Sequence, residues 1–256
     1  MAQRNKAKNP IKSTRTAFEI VDSLQELDGA RVTELAQHLG KSKGSVHNHL
    51  RTLLELGYVT KDGDTYHVGL RFLDHGMYAR QRQPLYEIAK TEVDRLAEET
   101  GELVNLLVEE NGLGIYLYQA TGENAVNVDA HVGSHVHLHN TALGKAILAH
   151  LPRERVEEII AHRGLEATTE RTITDREVFF DHLEEIRERG VAFDDEERLP
   201  GLQCVAVPIR NYQGHAEGAL SVSAPTRRMA RDPLESEIPS LLKDAANVVQ
   251  LNVTYR

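Results

Sequence analysis

Cysteine and tryptophan are scarce in this sequence, and it contains no long hydrophobic run. The 256 residues include one cysteine, Cys204, and no tryptophan. A single thiol excludes an intramolecular disulfide bond and any zinc site that needs several thiolates, and it is typical of a reducing compartment. No apolar run approaches the roughly 20 residues that cross a bilayer, and no hydrophobic region follows the charged N-terminus. These absences predict a cytoplasmic protein without a signal peptide or a membrane anchor.

Acidic residues outnumber basic residues overall, but the excess is confined to one part of the chain. The net charge is −9. Residues 1–80 contain 12 Lys and Arg against 9 Asp and Glu, whereas residues 81–256 contain 18 against 30. The first fifteen residues contain no acid and five basic residues: Arg4, Lys6, Lys8, Lys12 and Arg15. A basic head on an acidic body is typical of a DNA-reading module attached to a second domain, although residues 1–9 fit a solvated tail equally well.

Residues 32–60 have the pattern of a helix-turn-helix. Apolar residues recur in two short segments at the spacing of one buried helix face, and Gly40 separates the segments. These residues are Val32, Leu35, Ala36 and Leu39 in the first segment and Val46, Leu50, Leu53 and Leu54 in the second. Ser42 is placed to cap the second helix. Two such helices joined by a glycine-containing turn are typical of DNA-binding domains.

The polar front of the second helix is predicted to contact DNA. It carries no acid, so a phosphate backbone can approach it without repulsion. Lys43 and Arg51 suit phosphate, whereas His47 and Asn48 suit base edges. The predicted DNA-binding residues are Ser42, Lys43, Ser45, His47, Asn48 and Arg51. The alternative is a helical hairpin in a protein-interaction module.

The flanking segments predict a winged domain, a linker and a larger body. A helix capped by Ser13 reaches Glu26 before the helix-turn-helix, and a hairpin around Asp62-Gly63-Asp64 follows it. A helix from Gly69 to Ala79 then leads to a polar patch that ends at Pro84. The predicted domains are 1–69, a winged helix-turn-helix; 70–83, a linker helix; and 84–256, the body.

The body has the pattern of an α+β fold, in which strands, helices and further strands build one antiparallel sheet with helices on its faces. A helix from Pro84 ends at Gly101. The predicted strands are 103–109, 113–120, 125–132, 203–210 and 217–223. The predicted helices are 142–151, 154–161, 175–189 and about Pro233 to Val253.

Three segments of the body form a specific pattern: HNTALGKAILAHLP from His139, GVAFDDEERLPGLQCVAVPI from Gly190 and GALSVSAP from Gly218. In order and spacing they resemble the effector domain of IclR-type transcriptional regulators. With the helix-turn-helix, the resemblance extends from Ile11 to the last helix. It implies a winged helix-turn-helix joined by a linker helix to a GAF-like domain that binds a small metabolite. It also implies dimers formed through the N-terminal domains and, often, tetramers formed through the effector domains.

The resemblance implies an effector site at Ala142, Leu143, Asp194, Cys204, Ser221 and Ser223. The first turn of the helix at Thr141 offers backbone N–H groups that hold a carboxylate without an Arg or Lys. Ser221 and Ser223 lie two apart in a strand and face the same side, and Asp194 can accept a hydrogen bond from a hydroxyl group. The expected effector is a carboxylate or a sugar-derived compound.

Two other groups of residues suggest different chemistry. His131, His135, His137 and His139 raise a metal site, because the last three alternate and imidazole is a common zinc ligand. The alternative is a histidine-rich strand or loop at a pocket mouth, and no orienting carboxylate is nearby. Cys204 could be read as a nucleophile, but its apolar strand lacks a setting that lowers a thiol pKa. We therefore expect no catalytic residue, no cofactor and no metal.

The sequence thus predicts a sequence-specific DNA-binding transcriptional regulator, repressor or activator, controlled by a small metabolite. Its expected partners are double-stranded operator DNA, the effector and further copies of the chain in a homodimer or homotetramer. One rival is a metabolite-binding enzyme with a vestigial winged head. The other is a constitutive DNA-binding protein whose body only oligomerises. Catalytic turnover and ligand-dependent DNA binding discriminate these three functions.

Overall fold

The computed structural model describes residues 8–229 and 237–254. The chain divides between Ala79 and Arg80 into two compact units. The predicted start of the last helix at Pro233 and the basic residues Arg4 and Lys6 lie outside the described residues. Among the described residues, no helix has the length and apolar character needed to cross a bilayer.

The N-terminal unit is a winged helix-turn-helix, as the sequence predicts. Its three helices pack around buried Ile20, Leu35 and Leu50, and its small sheet has the order β1-β3-β2. The elements are α1 (Lys12–Glu26), β1 (Ala30–Arg31), α2 (Val32–His38), α3 (Lys43–Glu55), β2 (Val59–Asp62) and β3 (Thr65–Val68). The two-residue strand β1 is too short to show a period in the sequence, so it was not predicted.

The predicted cap of α1 is wrong. The N-cap position is Ile11, whose backbone is extended and whose side chain cannot accept a hydrogen bond. Ser13 instead lies inside the first turn, because the helix already begins at Lys12. The following helix, α4 (Arg71–Gln81), spans the division between the units and buries none of its residues.

The C-terminal unit is built on a six-stranded antiparallel sheet of order β6-β5-β4-β9-β8-β7. Its strands are β4 (Leu103–Glu110), β5 (Leu113–Thr121), β6 (His135–Val136), β7 (Ala192–Asp195), β8 (Leu202–Arg210) and β9 (Ala216–Pro225). Its helices are α5 (Pro84–Thr100), α6 (Ala142–Leu148), α7 (Arg153–Arg163), α8 (Arg176–Arg189) and α9 (Ile238–Thr254). The predicted α+β fold is confirmed.

Two apolar cores lie on the two faces of this sheet. The helices α5 and α9 bury Val93, Leu96 and Leu242 against one face. On the other face α6, α7 and α8 bury residues that include Ile147 and Phe179. Because side chains alternate between the faces of a strand, every second residue of the central strands points toward α6.

The predicted strand 125–132 is wrong. Within residues 8–229 and 237–254 this segment has no ladder partner. The outer edge of β5 pairs with His135 and Val136 and is hydrogen-bonded to the backbone of Gly133 and Ser134. The burial of the segment nevertheless alternates from residue 127 to residue 131, with half-buried Val128 and Ala130 between exposed neighbours. The alternation in the sequence therefore reflects a segment that covers the protein with every second side chain, without the hydrogen bonds of a sheet.

Candidate functional site

The second helix of the helix-turn-helix, α3, presents its polar side chains to solvent. The hydroxyl oxygen of Ser42 accepts a hydrogen bond from the amide of Ser45 at 3.2 Å, which confirms the predicted cap. Val46 and Leu50 are buried against the rest of the unit. All six residues of the predicted DNA set are exposed: Ser42, Lys43, Ser45, His47, Asn48 and Arg51. The fold thus leaves this face of the helix free to approach a major groove.

The wing adds one basic residue to this unit. Lys61 lies in β2, and its ammonium group is 5.4 Å from the centre of the Tyr66 ring. The helix itself carries no acid in its first turn. Its N-terminal half is therefore electrostatically open to phosphate.

A cavity in the C-terminal unit brings together all six residues of the predicted effector set. The register of the sheet explains why distant residues meet. Asp194 lies opposite Cys204, Cys204 lies opposite Ser223, and Ser223 lies opposite Leu103, so one row crosses four strands. Directly opposed residues point to the same face. This row forms part of the cavity wall beneath the first turn of α6.

A second polar row lies two residues away on β9 and β4 and continues onto β5. Ser221 is opposite Asn105, and Asn105 is opposite Gln119. The amide nitrogen of Asn105 donates to the hydroxyls of Ser221 and Ser223 at 3.3 Å each, and its oxygen accepts from Gln119 at 2.9 Å. The sequence analysis missed Asn105, although a single buried amide in the apolar strand LVNLLVEE is a signal of a polar site.

The first turn of α6 closes the cavity from the other side. The Thr141 hydroxyl accepts a hydrogen bond from the amide of Gly144 at 3.0 Å and so caps the helix. A Cβ atom on Gly144 would lie 2.1 Å from the carbonyl oxygen of Leu138, so only glycine allows this approach. The turn therefore brings Ala142 and Leu143 to the cavity wall.

Asp194 is a buried carboxyl that organises the turn after β7. Its Oδ1 accepts hydrogen bonds from the amides of Glu197 at 2.8 Å and Arg198 at 3.4 Å. Burial raises its pKa to about 7, and the nearby Glu197 charge adds to this, while Lys145 opposes it. Asp194 thus changes its protonation state near neutral pH.

A buried ion pair lies behind this carboxyl. The side chain of Lys145 is fully buried and donates to Oε1 of Glu197, whose side chain is 9% exposed. The carbonyl oxygen of Glu197 also accepts hydrogen bonds from the hydroxyls of Thr168 at 2.8 Å and Thr172 at 2.7 Å. The sequence does not predict this pair, because a lysine in a short helix is usually solvated. The helix α6 is instead buried on every side, and Lys145 is buried with it.

The thiol of Cys204 does not have the environment of a nucleophile. Burial raises its pKa far above the usual range, and a hydrogen bond with Ser223 only partly opposes this. A thiol held protonated is a poor nucleophile. Burial likewise raises the pKa of the neighbouring Tyr116 to about 12, so its phenol stays protonated. These two groups supply neutral polar surface to the cavity.

Arg198 also lines the cavity, a cation that the sequence does not predict. The side chain of Arg198 is 14% exposed, and its Nη2 lies 2.7 Å from Oδ1 of Asp129. The cavity has a volume of about 20 Å³. This is about the space that one water molecule occupies.

The four histidines do not form one cluster, although the ring centres of His137 and His139 lie 5.5 Å apart. Only His135 lies in a strand, so the alternating set does not share a strand face. His131 and His135 are exposed, whereas His139 is buried and its Nε2 lies 2.9 Å from the carbonyl oxygen of Glu166. In the part of the chain that the structure describes, no three His, Cys, Asp or Glu side chains are grouped so that they could hold a metal ion.

Comparisons with known proteins agree with both units. Residues 13–63 match the IclR helix-turn-helix domain, and residues 77–251 match the family described as bacterial transcriptional regulator IclR, C-terminal. A probable HTH-type transcriptional regulator ArcR from Halobacterium salinarum is 33% identical over 98% of this chain and 97% of its own length. The HTH-type transcriptional regulator BhcR from Paracoccus denitrificans is 34% identical over 92% of this chain and 85% of its own length.

A solved structure has the same fold. The crystal structure of Thermotoga maritima IclR superposes with a TM-score of 0.80 at 29% identity, and the match covers 95% of this chain and 99% of that one. The family and these relatives are transcriptional regulators and not enzymes. Two family matches that together cover most of the chain, and relatives of similar length, lead to one conclusion. The chain is a DNA-binding transcriptional regulator of the IclR family.

Proposed function

We propose that this regulator binds operator DNA with an affinity that is set by a small carboxylate or sugar-derived compound in the cavity of its C-terminal unit. The observation that carries the proposal is the cavity wall. Hydroxyls of two serines, the Asn105 amide and the Asp194 carboxyl converge with one guanidinium on a single space. Such a set suits a short organic acid that also carries hydroxyl or carbonyl groups.

The effector acts through DNA geometry in this proposal. Effector binding in the cavity alters the relative placement of the α3 helices of two protomers. The linker helix α4 transmits this change. Half-sites of a dimer must lie a whole number of helical turns apart, so a shift in spacing changes affinity. Coupling between two such sites is typically about 1–3 kcal/mol. Because the protein must reach chromosomal DNA, we propose that it acts in the cytoplasm.

Contact between operator DNA and α3 is tested by two substitutions with different expected results. We expect Asn48→Ala to weaken operator binding by about 1–3 kcal/mol, or roughly 5- to 150-fold in Kd, and to relax the preference for one base pair. We expect Lys43→Ala to weaken binding to all sequences alike and to lower the slope of log K against log salt by about 1. Fluorescence anisotropy on DNA from upstream of the protein's own gene measures both.

The matched control for Asn48 is an exposed asparagine of the body. Asn247→Ala removes the same amide from an exposed position in the helix α9, so operator affinity should stay unchanged. Equal losses for Asn247→Ala and Asn48→Ala would contradict base reading by α3.

We also propose that the protein is a homodimer or a homotetramer, with one contact made by α4. This helix buries none of its residues. The apolar side chain of Leu70, directly before the helix, is 85% exposed, and that of Leu73 in the helix is 61% exposed. They recur with Met77 at the spacing of one helix face. A second copy of the chain would cover this apolar stripe.

Charge on the stripe should break the contact. We expect Leu73→Asp to lower the mass in solution at least twofold at micromolar concentration, because an ion would be buried without a partner. Ala79→Asp, on another face of the same helix, should leave the mass unchanged. Light scattering after size-exclusion chromatography measures this, and a monomeric unmodified protein would overturn the proposal.

A further inference from the structure

The guanidinium of Arg198 lines the cavity, but its ion-pair partner, Asp129, does not. The cavity lining includes no other Lys or Arg among the described residues. Its partner, Asp129, has a side chain that is 69% exposed. The charge of Arg198 also reaches inward, because it lowers the pKa of both Tyr116 and Cys204. An anion in the cavity would therefore lie within its field.

The other nearby cation cannot serve this purpose. Lys145 is fully buried and already paired with Glu197. By contrast, the pair of Arg198 with Asp129 has one solvated member, and such pairs contribute about 0–1 kcal/mol. The backbone of Arg198 is fixed, since its amide donates to Asp194 at 3.4 Å. Arg198 is thus a positioned cation with a weakly held counterion.

The size of the cavity gives a second, independent observation. A volume of about 20 Å³ is about that of one water molecule. An organic acid of several carbons is larger, so such an effector requires the wall to move. Val128 is part of that wall, and Asp129 follows it in the segment 125–132 that lacks strand pairing. Directly after the segment, the amide of Gly133 donates to the carbonyl oxygen of Tyr116 at 2.8 Å, and the backbone of His131 is hydrogen-bonded to Ser134. Within the segment, Asp129 pairs with Arg198, and the amide nitrogen of Gln119 lies 3.4 Å from the carbonyl oxygen of Ala130. The ion pair therefore holds a part of the cavity wall that strand pairing does not hold.

We propose that Arg198 recognises the carboxylate of the effector in exchange for Asp129, and that this exchange releases the segment 125–132 from the cavity wall. The inference rests on the proposed function of the cavity as an effector site. Arg198 then determines the specificity for anions, and Asp129 is an internal competitor. A guanidinium suits this role because its planar N–H groups match both oxygens of a carboxylate.

The decisive test compares variants that break the same ion pair from opposite sides. If the pair only supports the structure, Arg198→Gln and Asp129→Asn have effects of the same sign on ligand binding. In the exchange they have opposite signs. Arg198→Gln should weaken carboxylate binding about 10- to 100-fold, because a charged hydrogen bond is lost. Asp129→Asn should strengthen it by up to about 5-fold, because the competitor is lost. Arg198→Lys should recover part of the affinity.

The probes are short acids and their uncharged amides. A panel of acetate, glycolate, glycerate and gluconate is screened by calorimetry against the full-length Asp129→Asn protein, and the tightest acid is compared with its amide on every variant. The amide should bind weakly and equally to all of them. Thermal unfolding without ligand confirms that each variant is folded. The proposal is overturned if no acid binds Asp129→Asn, if Arg198→Gln binds the acid as well as the unmodified protein does, or if the amide follows the same pattern as the acid.

Release of the segment has its own measurement. Hydrogen exchange of the amides of residues 125–132 should become faster when the acid binds the unmodified protein, and it should already be fast in Asp129→Asn. Slower exchange on binding would contradict release. These results are separable from the proposed function. An acid that changes operator affinity but binds Arg198→Gln normally removes only the role of Arg198. An acid that requires Arg198 but leaves operator affinity unchanged removes only the regulatory function.

Discussion

Replacement of Lys145 by methionine is expected to lower the free energy of unfolding by about 3–5 kcal/mol, because it leaves a buried carboxylate without its partner. The Lys145 side chain is fully buried, and Glu197 is almost as buried. Within the described residues Oε2 of Glu197 has no hydrogen-bond partner, so removal of Lys145 leaves the whole group uncompensated. The Asp194 carboxyl also loses a positive charge that lowers its pKa. Urea unfolding monitored by circular dichroism measures the change.

Two comparisons make this result specific to the buried pair. Lys41 forms a partly exposed ion pair with Glu19 at 3.0 Å. Lys41→Met should therefore lower the free energy of unfolding by at most about 1 kcal/mol. The double variant Lys145→Met with Glu197→Met should recover most of the stability, because two apolar side chains replace both charges. A loss below about 1 kcal/mol for Lys145→Met alone would show that water or a shifted side chain compensates Glu197.

Replacement of Asp194 by asparagine is expected to remove a pH dependence worth up to about 4 kcal/mol. The pKa of Asp194 rises from its ordinary value of 3.8 to about 7 in the folded protein, mainly through burial. The folded state therefore binds the proton more tightly than the unfolded state. Stability from this group is fully present below about pH 4, falls as the pH rises from 4 to 7, and stays low above pH 7. At roughly 1.4 kcal/mol per pKa unit, three units give the stated magnitude.

Asparagine keeps an oxygen that accepts hydrogen bonds from the backbone amides of Glu197 and Arg198, but its side chain does not titrate. Asp194→Asn should therefore be more stable than the unmodified protein at pH 8 and close to it at pH 4. Denaturant unfolding between pH 4 and pH 8 measures the difference. The control is Asp195→Asn, whose side chain is 54% exposed and pairs with Arg171; it should shift the curve little. Parallel curves for Asp194→Asn and the unmodified protein would contradict an elevated pKa at this site.

The winged domain could be predicted almost completely because local signals determine it. Apolar spacing predicted the buried faces of α2 and α3, except at Leu54, which is 38% exposed, and the hydroxyl of Ser42 predicted the start of α3. The errors in this domain concern a capping residue that lies inside the helix and a strand that is too short to show a pattern. Ser13 is a good capping residue, yet the chain enters the helix at Lys12. The strand β1 has two residues and exists only because β3 pairs with it.

The cavity was only partly predictable because its construction depends on strand register. The resemblance to the family gave six lining residues. Pairing of β4 with β9 then brings Asn105 between Ser221 and Ser223, across more than a hundred residues of sequence. No pattern in the sequence around Lys145 or Arg198 indicates a buried ion pair or a cavity cation. Their roles follow from three-dimensional contacts that periodicity does not encode.

The central claim is that occupancy of the cavity sets DNA affinity, and one titration tests it directly. Operator Kd is measured by fluorescence anisotropy without ligand and with a saturating concentration of the tightest acid, and calorimetry under the same conditions establishes saturation. We predict a change of about 5- to 150-fold in Kd, in either direction, for the unmodified protein. We predict a smaller change for Arg198→Gln at the same acid concentration, because this variant binds the acid about 10- to 100-fold more weakly. A saturated cavity with an unchanged operator Kd would contradict effector control.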